Sequence, residues 1–151
     1  MIETGLRDKV VIVTGAAAGI GRGTALRFAE EGCRVAAWDV NDAGAAALEA
    51  ELGAAGGTGW FQKVDVAKAG EVAAAVAAVI ERWGPIAVLV NNAGIVRDGQ
   101  LVKFKDGQVV STMSDAAFDQ VISVNLKGVF NCTRAVAPHM IRGGGGAILN
   151  A

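Results

Sequence analysis

At 151 residues with a formal net charge of −1, the chain has the length of one ordinary domain, able to bury roughly two-thirds of the surface its unfolded form exposes. Hydrophobic residues make up 52% and charged residues 19%, which excludes a disordered chain. Lys and Arg are scattered, which excludes the footprint of a nucleic-acid binder, and the longest apolar run, Ala73 to Ile80, is far short of the ~20 residues that span a bilayer. Met1 to Lys9 mixes charges with few apolar residues and lacks the core of an export signal. Cys33 and Cys132 lie far apart without metal or redox spacing and read as small buried hydrophobes, so a cytoplasmic protein without a metal site is expected.

Val10 to Thr14 is a β-branched run without polar alternation, as in a strand covered on both faces. A helix follows Gly15 to Gly21, with Ala25, Phe28 and Ala29 on one face and Gly32 as its stop. Arg34 to Asp39 reads as the second strand. Asn41 or Asp42 is placed to cap an alanine-rich helix carrying Leu48 and Leu52, and Trp60 to Val64 reads as the third strand. Val72, Val76, Val79, Ile80 and Trp83 recur at helical spacing until Gly84-Pro85, and Ile86 to Val90 is the fourth strand.

Between residues 98 and 113, Leu101 to Phe104 and Gln108 to Ser111 flank Lys105-Asp106-Gly107, the pattern of an inserted hairpin with an Asp-Gly turn. Ser114 then caps one long helix to about Met140, with Phe118, Val121, Ile122, Leu126, Val129 and Phe130 on a single apolar stripe and Asn125 among them as a buried amide. Ala147 to Ala151 reads as the start of a fifth strand. Strands alternating with helices give an α/β fold, a Rossmann-type doubly wound parallel sheet with helices on both faces, here a single domain over 1–151. Trp38, Trp60 and Trp83 are expected in the core or on crevice walls, and His139, Asp115 and Asp119 at helix ends matched to their charge.

A strand running through glycines into a helix aims unpaired N–H groups and a positive dipole end at one spot, which suits pyrophosphate; Gly15, Gly19 and Gly21 supply such a turn, with Ile20 inside it. Their spacing departs from Gly-x-Gly-x-x-Gly, and a tight strand-to-helix turn alone would also use them. Asp39, ending the second strand, adds a carboxylate for ribose hydroxyls. It also repels a 2′-phosphate, and neither Ala18 nor Val40 offers a cation to attract one, so NAD is favoured over NADP, Arg22 being the basic residue that bears on the choice.

These residues resemble the short-chain dehydrogenase/reductase family. Thr14-Gly15-Ala16-Ala17-Ala18-Gly19-Ile20-Gly21 is similar to its Thr-Gly-x-x-x-Gly-x-Gly cofactor turn, and Asn91-Asn92-Ala93-Gly94 to its Asn-Asn-Ala-Gly loop. Asp65-Val66 resembles the pair that lies over the adenine. Asn125, in Val124-Asn125-Leu126-Lys127-Gly128, resembles the helix asparagine that distorts its helix and holds a water of the proton relay. The resemblance thus implies cofactor contacts at Gly15, Gly19, Ile20, Gly21, Asp39, Asp65, Val66, Asn92, Ala93 and Gly94, and a catalytic role for Asn125.

The family moves its proton with a Ser, a Tyr and a Lys, whereas this sequence contains no tyrosine. Ala147 to Ala151 resembles the strand just before the family's serine, so the chain is expected to be the N-terminal part of a longer enzyme, leaving an open sheet edge and folding poorly alone. The second departure is the 98–113 insertion, which either shapes the substrate entrance or is a solvated decoration.

Asn92 to Gly99 looks closest to 3-oxoacyl-[acyl-carrier-protein] reductases, although that group prefers NADPH. The expected activity is NAD(H)-dependent interconversion of a secondary alcohol and a ketone, with a small-molecule carbonyl or alcohol substrate that an acyl-carrier protein could carry, in a homotetramer. A sugar or small-alcohol dehydrogenase, an inactive cofactor-binding fragment and an S-adenosylmethionine methyltransferase are the alternatives.

Overall fold

The structure, a computed structural model, describes residues 3–151; Met1 and Ile2, the start of the segment read as lacking an export signal, lie outside it. In chain order it contains β1 (Val10–Thr14), α1 (Gly19–Glu30), β2 (Arg34–Asp39), α2 (Ala45–Ala54), β3 (Thr58–Lys63), α3 (Ala69–Trp83) and β4 (Ile86–Asn91). Then come β5 (Val102–Lys105), β6 (Gln108–Thr112), α4 (Asp115–Val121), a π-helical turn over Ile122–Leu126, α5 (Lys127–Arg142) and β7 (Ala147–Asn150).

Five parallel strands form one sheet in the order β3-β2-β1-β4-β7, so the chain winds outward from β1 in one direction, then crosses back to β4 and winds in the other. The strand ends diverge at that reversal, which opens a crevice beyond the carboxyl ends of β1 and β4. Among the described residues no strand pairs with the far edge of β7, where Ala147 and Leu149 are exposed.

Alternation along each strand feeds two cores. Val11, Val13, Val35 and Ala37 pack with Ala25, Ala29, Leu48 and Leu52 under α1 and α2. Ile12, Trp38 and Leu89 pack with Val72, Val76, Val79, Cys132 and Val136 under α3 and α5. Each fully buried Leu or Val contributes about 1.5–3 kcal/mol through lost apolar hydration. Both cysteines are free and buried, and burial pushes the Cys132 thiol up to about 12, so it stays protonated and inert. Trp60 meets Trp83 edge-on at 5.9 Å, with the Arg82 guanidinium 4.6 Å above the Trp60 ring.

The hairpin forms as expected, with Asp106 (φ 50) and Gly107 (φ 79) in the left-handed region that its two-residue turn requires. Every residue of β5 and β6 is exposed. Not every expectation holds in detail. Neither Asn41 nor Asp42 caps α2: Gly44 holds that position, Asn41 accepts from Ala43 N, and Asp42 pairs with Lys63. The helical stretch opened by Ser114, whose Oγ accepts from Ala117 N at 3.2 Å, does run on past Met140 to Arg142, and a π turn over Ile122–Leu126 interrupts it at Asn125.

The apolar stripe expected there is only partly covered: Val121 and Val129 are half-buried. Phe118, Ile122, Leu126 and Phe130 are exposed, and the buried face of α5 is Gly128, Asn131, Cys132, Val136 and Met140. Neither α4 nor the π turn buries a residue, and burial on this stretch begins with Gly128 of α5.

Where α1 and α2 approach β3, Gly57 is required by space. A Cβ there would stand 2.6 Å from Cys33 O and 2.7 Å from Ala29 Cα, both backbone atoms. Gly57→Ala is expected to cost about 1–3 kcal/mol by overpacking, read as a lower urea midpoint with unchanged slope. An unchanged midpoint would show that this packing is not tight.

Candidate functional site

The crevice is built from the ends of β1, β2, β3 and β4. Thr14 ends β1 and is 1% exposed. Its Oγ1 accepts from Asn92 N at 3.0 Å and Ala93 N at 2.9 Å, and donates to Val90 O at 3.3 Å. Asn92 Nδ2 reaches back to Thr14 O at 3.1 Å and Gly15 O at 3.4 Å, and Asn91 Nδ2 donates to Asn150 Oδ1 at 2.9 Å and Thr133 Oγ1 at 3.3 Å. The Asn91–Gly94 segment is therefore bonded to β1 on one side and to β7 and α5 on the other.

Against that segment the glycine turn packs without side chains. A Cβ at Gly21 would lie 2.1 Å from Gly15 O and 2.5 Å from Asn92 Nδ2, and one at Gly15 would lie 2.9 Å from Ala93 Cα. Gly19 (φ +56) has nothing within 4 Å and marks the open side. The first bond of α1 runs from Arg22 N to Ala18 O at 3.1 Å, so the N–H groups of Gly19, Ile20 and Gly21 have no acceptor within the helix. They face outward with the positive end of the dipole, and Ile20 stands 80% exposed beside them.

Asp39 is joined to this turn: its Oδ2 accepts from Ala17 N and its Oδ1 from Asn41 N, each at 2.9 Å, while Trp38 O accepts from Ala16 N at 3.0 Å. Arg22 is engaged with Glu51 of α2. Asp65 Oδ1 accepts from Ala67 N at 3.0 Å, and Asp65 N donates to Glu71 Oε2 at 2.9 Å, a bond that, with Lys68, holds the Glu71 carboxyl below its usual range.

A cleft of about 130 Å³ lies between these strand ends, lined by Gly15, Asp39, Val40, Val64, Asp65, Val66, Ala93, Gly94, Ile95 and Val124. Six residues singled out from the sequence thus meet in one wall system: Gly15, Asp39, Asp65, Val66, Ala93 and Gly94. Gly19, Ile20 and Gly21 form the helix start beside it, and Asn92 stands behind the turn as its support.

Asn125 differs from expectation. It is exposed rather than buried, and its amide closes a reciprocal pair with one peptide, Ile95 N donating to Oδ1 at 2.8 Å and Nδ2 donating to Ile95 O at 3.0 Å. The π turn that carries it puts Asn125 on the cleft side of the helix, with its neighbour Val124 in the wall. On this side the lining stops at Ile95, so the hairpin contributes no wall residue; its base is held to α4 by Arg97 Nε on Gln120 Oε1 at 2.9 Å. Sequence reasoning weighed Val40 only for its lack of a cation and did not single out Val64, Ile95 or Val124. Val40 and Val64 were findable as residues at the carboxyl ends of parallel strands.

Among the described residues no group of His, Cys, Asp and Glu could hold a metal ion, and no helix is long and apolar enough to cross a membrane. The chain is 43% identical over 147 residues to a 3-oxoacyl-[acyl-carrier-protein] reductase FabG of Staphylococcus epidermidis, covering 95% of this chain and 55% of that protein. It is 38% identical over 146 residues to the (2S)-[(R)-hydroxy(phenyl)methyl]succinyl-CoA dehydrogenase subunit BbsD of Thauera aromatica, covering 97% and 55%. It therefore spans about 55% of the length of these curated relatives. A crystal structure of the NADH-dependent reductase A1-R′ complexed with NAD matches with a TM-score of 0.80 at 31% identity, covering 97% of this chain and 60% of that one. A second structure of the same reductase, described as responsible for alginate metabolism, matches at 0.79 and 32%, covering 95% and 58%. The family model for the short chain dehydrogenases matches residues 9–151, which takes in every strand of the five-stranded sheet, and the chain belongs to that family.

Proposed function

We propose that these residues form the NAD(H)-holding part of an oxidoreductase that interconverts a secondary alcohol and a ketone. Asp39 carries the cofactor reading. Its carboxylate ends β2 inside the cleft and is fixed on the glycine turn through Ala17 N, where it can accept from ribose hydroxyls and repel a 2′-phosphate. The engagement of Arg22 with Glu51 supports the same preference, since the basic residue nearest the turn is already paired.

The residues present fit a dinucleotide. Gly15, Gly19, Ile20 and Gly21 offer an open turn with free N–H groups for pyrophosphate, and a side chain at Gly15 or Gly21 would collide with the Asn92–Ala93 support. Val40, Val64 and Val66 give an apolar slot beside Asp65 for a flat base, and Ala93 and Gly94 continue the floor toward Asn125. NADH, when bound, supplies the hydride that reduces a ketone. The chain's own part is to bind, to orient and to hold a water at Asn125, which its pairing with Ile95 keeps at the cleft mouth. The sequence contains no tyrosine, so the proton donor implied by the family resemblance is not among these residues.

A carbonyl on a carried acyl chain is the substrate class we favour, because the relatives include one named as a 3-oxoacyl-[acyl-carrier-protein] reductase and a dehydrogenase named for an acyl-CoA. A sugar-derived carbonyl is the second reading, favoured by the likeness to the reductase described for alginate metabolism. Family membership removes the ground for a methyltransferase. The exposed face of Phe118, Ile122, Leu126 and Phe130 supports assembly with further copies of the chain, in keeping with a homotetramer.

Titration by fluorescence is expected to show NADH binding about tenfold or more tighter than NADPH, and Asp39→Ala is expected to weaken NADH about tenfold and narrow that gap. Equal or tighter binding of NADPH by the unaltered chain would overturn the preference. Thr14→Val deprives Asn92 N and Ala93 N of their acceptor, at a cost of roughly 1–3 kcal/mol in urea unfolding and with weaker NADH binding, whereas Thr14→Ser retains both. Equal behaviour of the two variants would remove the hydroxyl from this role.

A further inference from the structure

Asn131 is 2% exposed on the buried face of α5, beside Cys132 and within the core that also holds Val66 and Val136. Its Nδ2 donates to Val66 O at 2.9 Å, and its Oδ1 has no hydrogen-bond partner among the described residues. An orphaned buried acceptor is destabilising, because it gives up its water without a replacement. A leucine would carry the same branch at Cγ with no orphan, so burial alone does not account for an amide here.

What the amide does reach is a cleft wall. Val66 lies past Lys63, the last residue of β3, where the sheet ladder no longer fixes the backbone. Gly128, on the same helix, brings α5 against the same residue: a Cβ there would stand 2.6 Å from Val66 Cγ2 and 3.2 Å from Val66 Cβ. The helix thus meets Val66 twice, once through a missing side chain and once through a buried hydrogen bond. The π turn immediately before α5, through Asn125 and Ile95, holds a different lining residue of the same cleft.

We propose that Asn131, with Gly128, is a positioning residue that sets the Asp65–Val66 wall at the spacing from Asp39 that an adenosine group requires. This rests on the cofactor reading above. The amide does not touch the ligand; it acts through the Val66 carbonyl, and its loss lets that wall drift without emptying the core.

The test compares the unaltered chain with Asn131→Leu, Gly128→Ala and Val136→Ala, the last shortening a buried side chain further along α5. Amide hydrogen exchange over residues 64–68 is measured without ligand, and ADP-ribose is titrated by calorimetry. Asn131→Leu and Gly128→Ala are expected to speed exchange in that segment and to weaken ADP-ribose about tenfold, the worth of one net hydrogen bond, while Val136→Ala leaves both at the starting values. If Asn131→Leu does not fold, Gly128→Ala carries the comparison. Unchanged exchange and affinity in the Asn131 and Gly128 variants, or an equal loss in Val136→Ala, would overturn the proposal. If the unaltered chain takes up no ADP-ribose, the cofactor reading falls, and exchange in Asn131→Leu still decides whether this residue sets the wall.

Discussion

The hydroxyl of Thr14 joins the two directions in which the sheet is wound. A parallel sheet that reverses its winding has neighbouring strands whose following loops depart to opposite faces, and nothing in the ladder itself ties those loops together. Here one side-chain oxygen takes two N–H groups from the loop after β4 while sitting at the end of β1, and the Asn92 amide returns the bond to the carbonyls of Thr14 and Gly15. The glycine turn, the start of α1 and the Ala93–Gly94 floor are rigid with respect to one another because of that exchange. Removing side chains at Gly15 and Gly21 is what brings the two loops within reach of it.

The second constraint is the approach of α5 to the sheet. Gly128 gives the helix access to Val66, and the π turn just before it re-aims Asn125 toward the peptide of Ile95. An inserted residue in a helix sacrifices regular hydrogen bonding, and such turns persist where the re-aimed side chain is useful. The π turn and the first turns of α5 thereby hold two walls of the cleft, while the bulkier apolar residues Phe118, Ile122, Leu126 and Phe130 are left exposed.

Most of the architecture was legible because its signals are local. Val10 to Thr14 and Arg34 to Asp39 carry the β-branched or apolar runs of covered strands, Gly84-Pro85 punctuates, and Asp106-Gly107 specifies its turn. The glycine turn, Asp39 and the Asn91–Gly94 loop were legible as places because a tight strand-to-helix turn and its support restrict the residue types allowed there. The facing of α4 and α5 was not. Phe118, Ile122, Leu126 and Phe130 form the bulkier apolar series, yet α4 buries no residue and the buried face of α5 begins at Gly128, where a missing side chain admits Val66, a contact that hydrophobicity does not encode. Asn131 was illegible for a similar reason: its partner lies 65 residues away and is a backbone carbonyl, which leaves no trace in sequence.

The hairpin of β5 and β6 shows what happens to an element outside these constraints. Val102, Phe104, Val109 and Thr112 share one face and Lys103, Lys105, Gln108 and Ser111 the other, with Val110 as the extra residue at the irregularity in register. Neither face is covered, and a lone two-stranded ribbon is at best marginally stable in water. Its order is borrowed from its base, where Met113 N bonds to Leu101 O and Arg97 to Gln120. The arm is thus joined to the rest through its base alone and supplies no residue to either core, so lengthening or losing it alters no contact within them.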